Sequence, residues 1–498
     1  MGVIAKQGVI NLITSYAGVI IGAVNTILLF PNIFTAAEFG LTRVIVSAAM
    51  MSSSLFSFGV SSFAIKFFPF FKDKPNQNNG FLFFIMLIPF IGYLIFLIVS
   101  FFFKPSIISY YSTNSSLFSE YYGYTIILTF YIIYLNVFDS YLKALHKSVF
   151  YNFLDNIVLK CFWLILIILY YFKVINFNEF IFGYVNTYGL LILFELLYLM
   201  YIKEFFILPN FKKFDLKTIK EILFFGVLTM FGSGITGMAA SIDSLVIGSI
   251  DKTGLEGVAF YSVAFYVSFL IVIPFNALTR IINTSISEAW KNNDLVKIND
   301  FYKKSSNNLL LIGMFIFLVI WLNVDSLFEL LPTEYTQAKY VLLFICLAKL
   351  FEISVGINGI IINFSKYYKL IFYINILLIL LLIVTDYLLI PIMGIVGAAL
   401  ATLISTLIVL SIYLIVLYKN YKLLPFTNKS FLILIISIII YFIVNLIPDF
   451  NHIILNVGTR SFIILILFFP SVYVLNISLE FNKLIVSTFQ YLGITKKH

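Results

Sequence analysis

Arg43, Asp243, Lys349 and Glu352 are ionisable side chains set within otherwise apolar stretches. At mid-bilayer such a residue costs roughly 2.5–3.5 kcal/mol on insertion scales, so each needs a partner or a task. Intramembrane charges of this kind mark substrate and ion paths. Lys349 and Glu352 lie three apart on one helical face and can neutralise each other. Arg43 and Asp243 lie toward the ends of their helices, where snorkelling to the interface is the alternative. Lys160 and Glu195 are expected to form a structural pair.

Projected at 100° per residue, uncharged polar residues gather on the same faces as these charges. Arg43, Ser47, Ser54, Ser57 and Ser61 fall within a sector of about 80°, as do Thr229, Ser233, Thr236 and Asp243. Ser262, Asn276, Arg280 and Asn283 share a face; so do Lys349, Glu352, Gly356 and Asn363, and likewise Thr125, Thr129, Asn136, Asp139 and Lys143. A lone Ser or Thr stripe is ordinary helix packing in a membrane bundle.

The elements that position these residues are membrane helices. Hydrophobic residues make up 61% of the 498 and charged residues only 11%, against about a quarter in soluble domains, and the mean hydropathy is +1.04. Spans of about 20 apolar residues are expected near 8–31, 39–63, 81–103, 121–142, 150–172, 180–202, 218–249, 255–280, 307–331, 338–362, 367–390, 393–417, 429–447 and 459–478. With the N-terminus inside, about 24 of the 32 basic residues fall on the cytoplasmic side, and a miscounted span would destroy that bias. The net charge of +9 is thus spread as topology and forms no nucleic-acid patch. Cys161 and Cys346 sit in apolar stretches, which argues against a disulfide framework and for small buried hydrophobes.

The chain also repeats. Glu38-Phe39-Gly40-Leu41 opens the second span and Leu255-Glu256-Gly257-Val258 the eighth; Gly183 in the sixth answers Gly397 in the twelfth. The offset, near 215 residues, is six spans. It implies two six-helix lobes, 1–205 and 206–420, related by a pseudo-two-fold axis along the membrane normal, with 421–498 added as two helices and a tail. The polar stripes fall on spans one, two, four, seven, eight and ten, equivalent positions of the two halves, and outline a cavity. Spans three, nine, thirteen and fourteen carry few polar residues and suit lipid on all sides. Pro89 and Pro274 are expected to kink their helices.

Enzyme signals are missing. There is no P-loop, His146, His452 and His498 lack metal-ligand spacing, and no nucleophile elbow occurs. A transporter is the reading that remains.

Particular segments carry a resemblance: AAEFGLTRVIVSAAMMSSSLFSFGVSSFAIKFFPFF at 36–71, YLKALHKSVFYN at 141–152, ILFFGVLTMFGSGITGMAASIDSLVIG at 222–248, GVAFYSVAFYVSFLIVIPFNALTRIINTSISEAW at 257–290 and MGIVGAALATLIS at 393–405. The chain resembles the polysaccharide flippase family, the O-antigen and capsule exporter branch of the multidrug/oligosaccharidyl-lipid/polysaccharide (MOP) superfamily. The resemblance implies an all-α, MATE-like membrane protein that flips undecaprenyl-diphosphate-linked oligosaccharide across the bacterial cytoplasmic membrane, in lipopolysaccharide, capsule or exopolysaccharide synthesis. Arg43, Lys349 and Arg280 would then hold the diphosphate, with Ser47, Ser54 and Asn276 on sugar hydroxyls. Asp243 and Glu352 would couple transport to protons or sodium, with no other cofactor. Membrane lipids and the polymerase or glycosyltransferase machinery are the expected partners, and nucleic acid is not. Lipid II flippases have several cavity arginines, and this chain offers chiefly Arg43, Arg280 and Lys349. A multidrug or organic-cation antiporter of the same superfamily is the alternative, and a membrane polysaccharide polymerase or glycosyltransferase the more distant one.

Overall fold

The computed structural model describes residues 3–209, 216–230, 235–448, 450 and 452–483, and among these it is helical with no strand. The helices are α1 (Val3–Ala23), α2 (Ala36–Phe56), α3 (Val60–Phe71), α4 (Phe81–Ser112), α5 (Ser116–Ala144), α6 (Ser148–Tyr171), α7 (Phe177–Tyr201), α8 (Leu216–Thr229) and α9 (Ile235–Ile250). They continue with α10 (Leu255–Ser268), α11 (Ile273–Lys291), α12 (Leu295–Leu322), α13 (Lys339–Ser354), α14 (Asn358–Phe364), α15 (Lys369–Met393), α16 (Ile395–Tyr421), α17 (Asn428–Asn445) and α18 (Ile453–Val474). Among the described residues eleven helices are long and apolar enough to cross a membrane, or thirteen if each bent pair is one span. The chain is a multi-pass membrane protein. The remaining expected span, 218–249, corresponds to α8 and α9, which flank residues outside the described set.

Large apolar side chains point outward, Phe101 at 76% and Ile392 at 79% exposure. Lipid is the solvent that makes such a surface stable. By backbone contacts the chain forms two compact units, Met1–Val263 with Asn375–Ala398, and Ala264–Ile374 with Ala399–His498. The first unit has an aromatic-rich core in which Phe63, Phe68, Phe81, Phe138 and Tyr141 are fully buried.

The second span is not one straight helix. It breaks at Phe58 and Gly59, both at positive φ, between α2 and α3. Gly59 is required twice over: its φ is +69°, and a Cβ there would lie 2.1 Å from the Gly226 carbonyl of α8. The eighth span bends by 48° at the corresponding point of the repeat, where Pro274 opens α11. Proline cannot donate to the preceding turn, so the bend falls where the donor is missing. The tenth bends by 45° between α13 and α14. At Pro89 the helix is not interrupted: α4 runs on through it.

The fourteenth span does not face lipid on all sides. In the second unit Arg460 Nη1 of α18 donates to the Leu322 carbonyl at 2.8 Å, and Asn456 Nδ2 donates to Ser326 Oγ at 3.1 Å. Asn323 Nδ2 in turn donates to Ser461 Oγ at 3.3 Å. These polar groups cluster near the end of α12, so a count of polar residues at mid-depth does not register them.

Candidate functional site

The residues that open the second span divide the work of placing Arg43. Thr35 and Glu38 form a capping box: Glu38 N–H donates to Thr35 Oγ1 at 3.2 Å and Thr35 N–H to the Glu38 carboxylate at 3.0 Å. Phe39, one turn before Arg43, stacks on Phe30 with ring centroids 4.8 Å apart. The Arg43 guanidinium lies 5.0 Å from the Phe39 ring and 5.2 Å from the Phe30 ring. Trp163, stacked on Tyr184 at 4.8 Å, extends this aromatic wall, since Tyr184 also meets Phe30 edge-on. Arg43 Nε and Nη2 and Trp163 Nε1 are buried without a hydrogen-bond partner. The ring faces favour the cation, but they leave donors that an anion would satisfy. Ser47 and Ser54 come after it on the same helix, both half-buried, with Ser54 Oγ donating to the Met50 carbonyl at 2.9 Å.

Asp243 in α9 is buried, and the Tyr261 hydroxyl of α10 donates to its Oδ2. Its carboxylate is in hydrogen-bonding contact with that of Asp386 in α15, a side chain with no exposed surface. Beyond that contact, no donor reaches either Asp386 oxygen among the described residues. Two carboxylates in contact within an apolar bundle repel strongly unless a proton or a cation lies between them. Asp243 is a candidate from its place in the sequence, whereas Asp386 is not among the residues expected there. Its signal is nonetheless present, since Asp386 is a lone charge in the apolar run of α15.

Where α4 and α9 end and α2, α5 and α10 begin, the first unit is clasped. The Tyr111 hydroxyl donates to the Leu245 carbonyl at 2.8 Å, Asn114 Nδ2 to Ser249 O at 3.2 Å, and Ser115 Oγ to Gly248 O. Gly40 lies so close to α10 that a Cβ would sit 1.7 Å from the Leu255 carbonyl oxygen. The landmarks Gly40 and Leu255, which flag the repeat in the sequence, are thus in contact. At the other end α3 meets α8, with Lys66 Nζ 3.6 Å from the Phe225 ring.

The second unit holds the remaining expected residues. Lys349 Nζ donates to Glu352 Oε2 at 3.0 Å and lies 6.0 Å from the Phe265 ring. Asn276, just past the bend, is exposed and its carbonyl accepts from Thr279 Oγ1 at 3.1 Å. Arg280 is in α11, but its side chain lies outside the described residues, as do the Thr236 side chain and Ser233. The ion pair carries a stability prediction. Lys349→Ala leaves Glu352 a half-buried lone carboxylate, so the melting temperature in detergent should fall more for that variant than for the Lys349→Ala/Glu352→Ala double variant. Equal or larger loss in the double variant would mean the pair itself is what stabilises.

The expected Lys160–Glu195 pair is absent. Lys160 Nζ donates instead to the Gly18 carbonyl of α1 at 2.8 Å. A π-turn at Leu154–Val158 inserts a residue ahead of Lys160 and rotates the rest of the helix by about 100°, which turns the lysine toward α1. Glu195 keeps two buried oxygens without a partner. No group of three or more His, Cys, Asp or Glu able to hold a metal ion occurs among the described residues.

A family model described as "Polysaccharide biosynthesis protein" matches residues 5–290, more than half of the chain. No curated protein is matched by the sequence. Among solved structures, "Lipid II flippase MurJ, inward closed conformation" is similar with a TM-score of 0.72 at 15% identity, covering 95% of this chain and 98% of that one. "Inward-facing conformation of a multidrug resistance MATE family transporter of the MOP superfamily" is similar with a TM-score of 0.62 at 15% identity, covering 84% and 97%. "Crystal structure of MATE in complex with MaL6" is similar at 0.54 and 12%, covering 84% and 97%. At these identities the structures speak for the fold alone, and it is a fold of transporters and flippases. With the family match over the first nine helices and most of the two after them, the chain belongs to the polysaccharide biosynthesis protein family of the MOP exporter superfamily.

Proposed function

We propose that this protein is a flippase that carries undecaprenyl-diphosphate-linked oligosaccharide, an O-antigen, capsule or exopolysaccharide repeat unit, across the bacterial cytoplasmic membrane by alternating access. Both termini lie in the cytoplasm, and the product passes to polymerase or glycosyltransferase machinery. The observation that carries the reading is the Arg43 guanidinium, held against the stacked Phe30 and Phe39 rings with two buried nitrogens, Nε and Nη2, unmet. A half-buried cation whose enclosed donors lack an acceptor is costly. A diphosphate supplies both the charge and the acceptor oxygens. Lys349 is already matched by Glu352, so it engages the headgroup only when Glu352 is protonated or displaced. Ser47 and Ser54 of α2 are proposed to meet sugar hydroxyls, and Asn276 and Arg280 of α11 keep the roles that the resemblance gives them. The sugars vary within this reading, because hydroxyl-binding Ser and Asn side chains do not select one glycan.

Coupling is assigned to Asp243 with its contact Asp386 rather than to Glu352, whose charge Lys349 answers. A proton or sodium ion entering between the two carboxylates removes their repulsion and draws α9 and α15 together. The test is flipping of lipid-linked oligosaccharide in proteoliposomes under an imposed proton or sodium gradient. The native chain should respond to one gradient, while Asp386→Asn should flip at a rate that ignores both. Gradient-dependent efflux of organic cations, with no flipping above empty vesicles, would replace this reading with the antiporter. Transfer or extension of glycan on the lipid-linked donor would replace it with the enzyme.

A further inference from the structure

Within the first unit, α5, α6 and α7 enclose a charged cluster that the transport reading leaves unused. Asp139 is 5% exposed and receives Lys143 Nζ at 2.5 Å; the lysine side chain, 41% exposed, leads to water at the end of α5. Asp155 sits in the π-turn of α6, and Lys160, its electrostatic partner, is bound to the Gly18 carbonyl. A second π-turn, Val24–Leu29 of the first span, faces it: Asn25 Nδ2 donates to the Lys160 carbonyl at 2.9 Å. π-turns concentrate at functional sites because they re-aim side chains that a regular helix would point elsewhere.

Glu195 of α7 lies at the centre. It has no exposed surface, and both carboxylate oxygens are buried without a donor. Its electrostatic neighbours are Asp139, Asp155 and Lys143, with Tyr151 also in reach and Tyr188 beyond it. The charges do not balance. Lys143 answers Asp139 and Lys160 answers Asp155, so Glu195 is left with no cation. An ionised carboxylate without a donor in an apolar bundle is among the most costly arrangements a protein can hold. A metal ion does not fit, because no group of side chains among the described residues converges to hold one.

We propose that Glu195 is a proton-binding site of the N-terminal half, separate from the Asp243–Asp386 pair and loaded from water along Lys143 and Asp139. Uptake forms one O–H bond on the Glu195 carboxylate from a water-borne proton, and release returns that proton to water. Asp139 passes the proton while Lys143 holds it at the mouth, and the π-turn sets Asp155 where its charge favours the loaded form. The site responds to pH on its own, whatever the chain transports.

A lipophilic carbodiimide, which couples to protonated carboxyl groups in apolar surroundings, tests the site on the full-length protein in lipid nanodiscs, with adducts mapped by mass spectrometry across a pH series. Glu195 should carry an adduct that falls about tenfold per pH unit once the site deprotonates. That adduct should vanish in Glu195→Gln, persist in Asp386→Asn, and be indifferent to sodium at fixed pH. Asp139→Asn should slow its exchange by removing the relay. An unmodified Glu195 at every pH, with Asp386 labelled on the same molecules, overturns the proposal, and protection of Glu195 by sodium overturns the proton as occupant. The native chain alone decides these outcomes if Glu195→Gln fails to fold. Labelling needs no flipping, so failure here and failure of the flippase reading are separate results.

Discussion

Arg43→Ala should abolish flipping of lipid-linked oligosaccharide in proteoliposomes while leaving the protein folded. The guanidinium offers charge-assisted hydrogen bonds contributing about 1.5–3 kcal/mol each, so losing even one lowers the rate or affinity at least about tenfold. Arg43→Lys separates charge from geometry. Lysine keeps a cation beside the stacked Phe30 and Phe39 rings but has no planar fork. Partial activity in Arg43→Lys with none in Arg43→Ala is the expected order. Equal activity in all three proteins would remove Arg43 from the headgroup site. Lys349→Ala should be milder, because Glu352 already occupies the ammonium. An equal loss in both single variants would instead show that the two cations act on one substrate.

Gly40→Val should have an effect of comparable size by another route. A Cβ at position 40 would lie 1.7 Å from the Leu255 carbonyl oxygen and 2.6 Å from its carbon, both backbone atoms that no rotamer change can move. Overpacking of well-packed positions costs about 1–3 kcal/mol, and here α2 and α10 must part. The clasp made by Tyr111, Asn114 and Ser115 against the carbonyls at the end of α9 would open with them. In the alternating-access reading this is the outer closure. A cysteine placed at Ser47 should therefore react faster with a membrane-impermeant thiol reagent when Gly40 is valine, and flipping should fall. Unchanged labelling with a lower melting temperature would mean the contact is structural only. Gly40→Ala should give the same sign with a smaller effect, since the Cβ itself makes the clash.

Much of this protein is legible from its residues alone. The apolar runs, the bias of lysines to alternate loops and the repeat near 215 residues point to a multi-pass helical transporter of this family, and the family match and the fold agree. These properties are local or additive: a span is a property of about twenty consecutive residues, and loop charge is summed along the chain. The i, i+3 spacing of Lys349 and Glu352 is enough to anticipate their contact, because a helix places them side by side whatever surrounds it. The bend at Pro274 is readable for the same reason.

Partners far apart in the chain are decided only by the tertiary structure. Asp243 meets Asp386 across more than a hundred residues, and no periodicity within either helix carries that contact. The break at Gly59 has its reason in the Gly226 carbonyl of another helix. Lys160 and Glu195 show the limit most clearly. Their charges invite pairing, yet a single π-turn rotates the lysine onto the Gly18 carbonyl and leaves the glutamate alone. A helical projection assumes a constant 100° per residue, and one inserted residue moves every later side chain to another face. The composition of a membrane span therefore says which side chains must find a partner, and the packing of the bundle says which of them do.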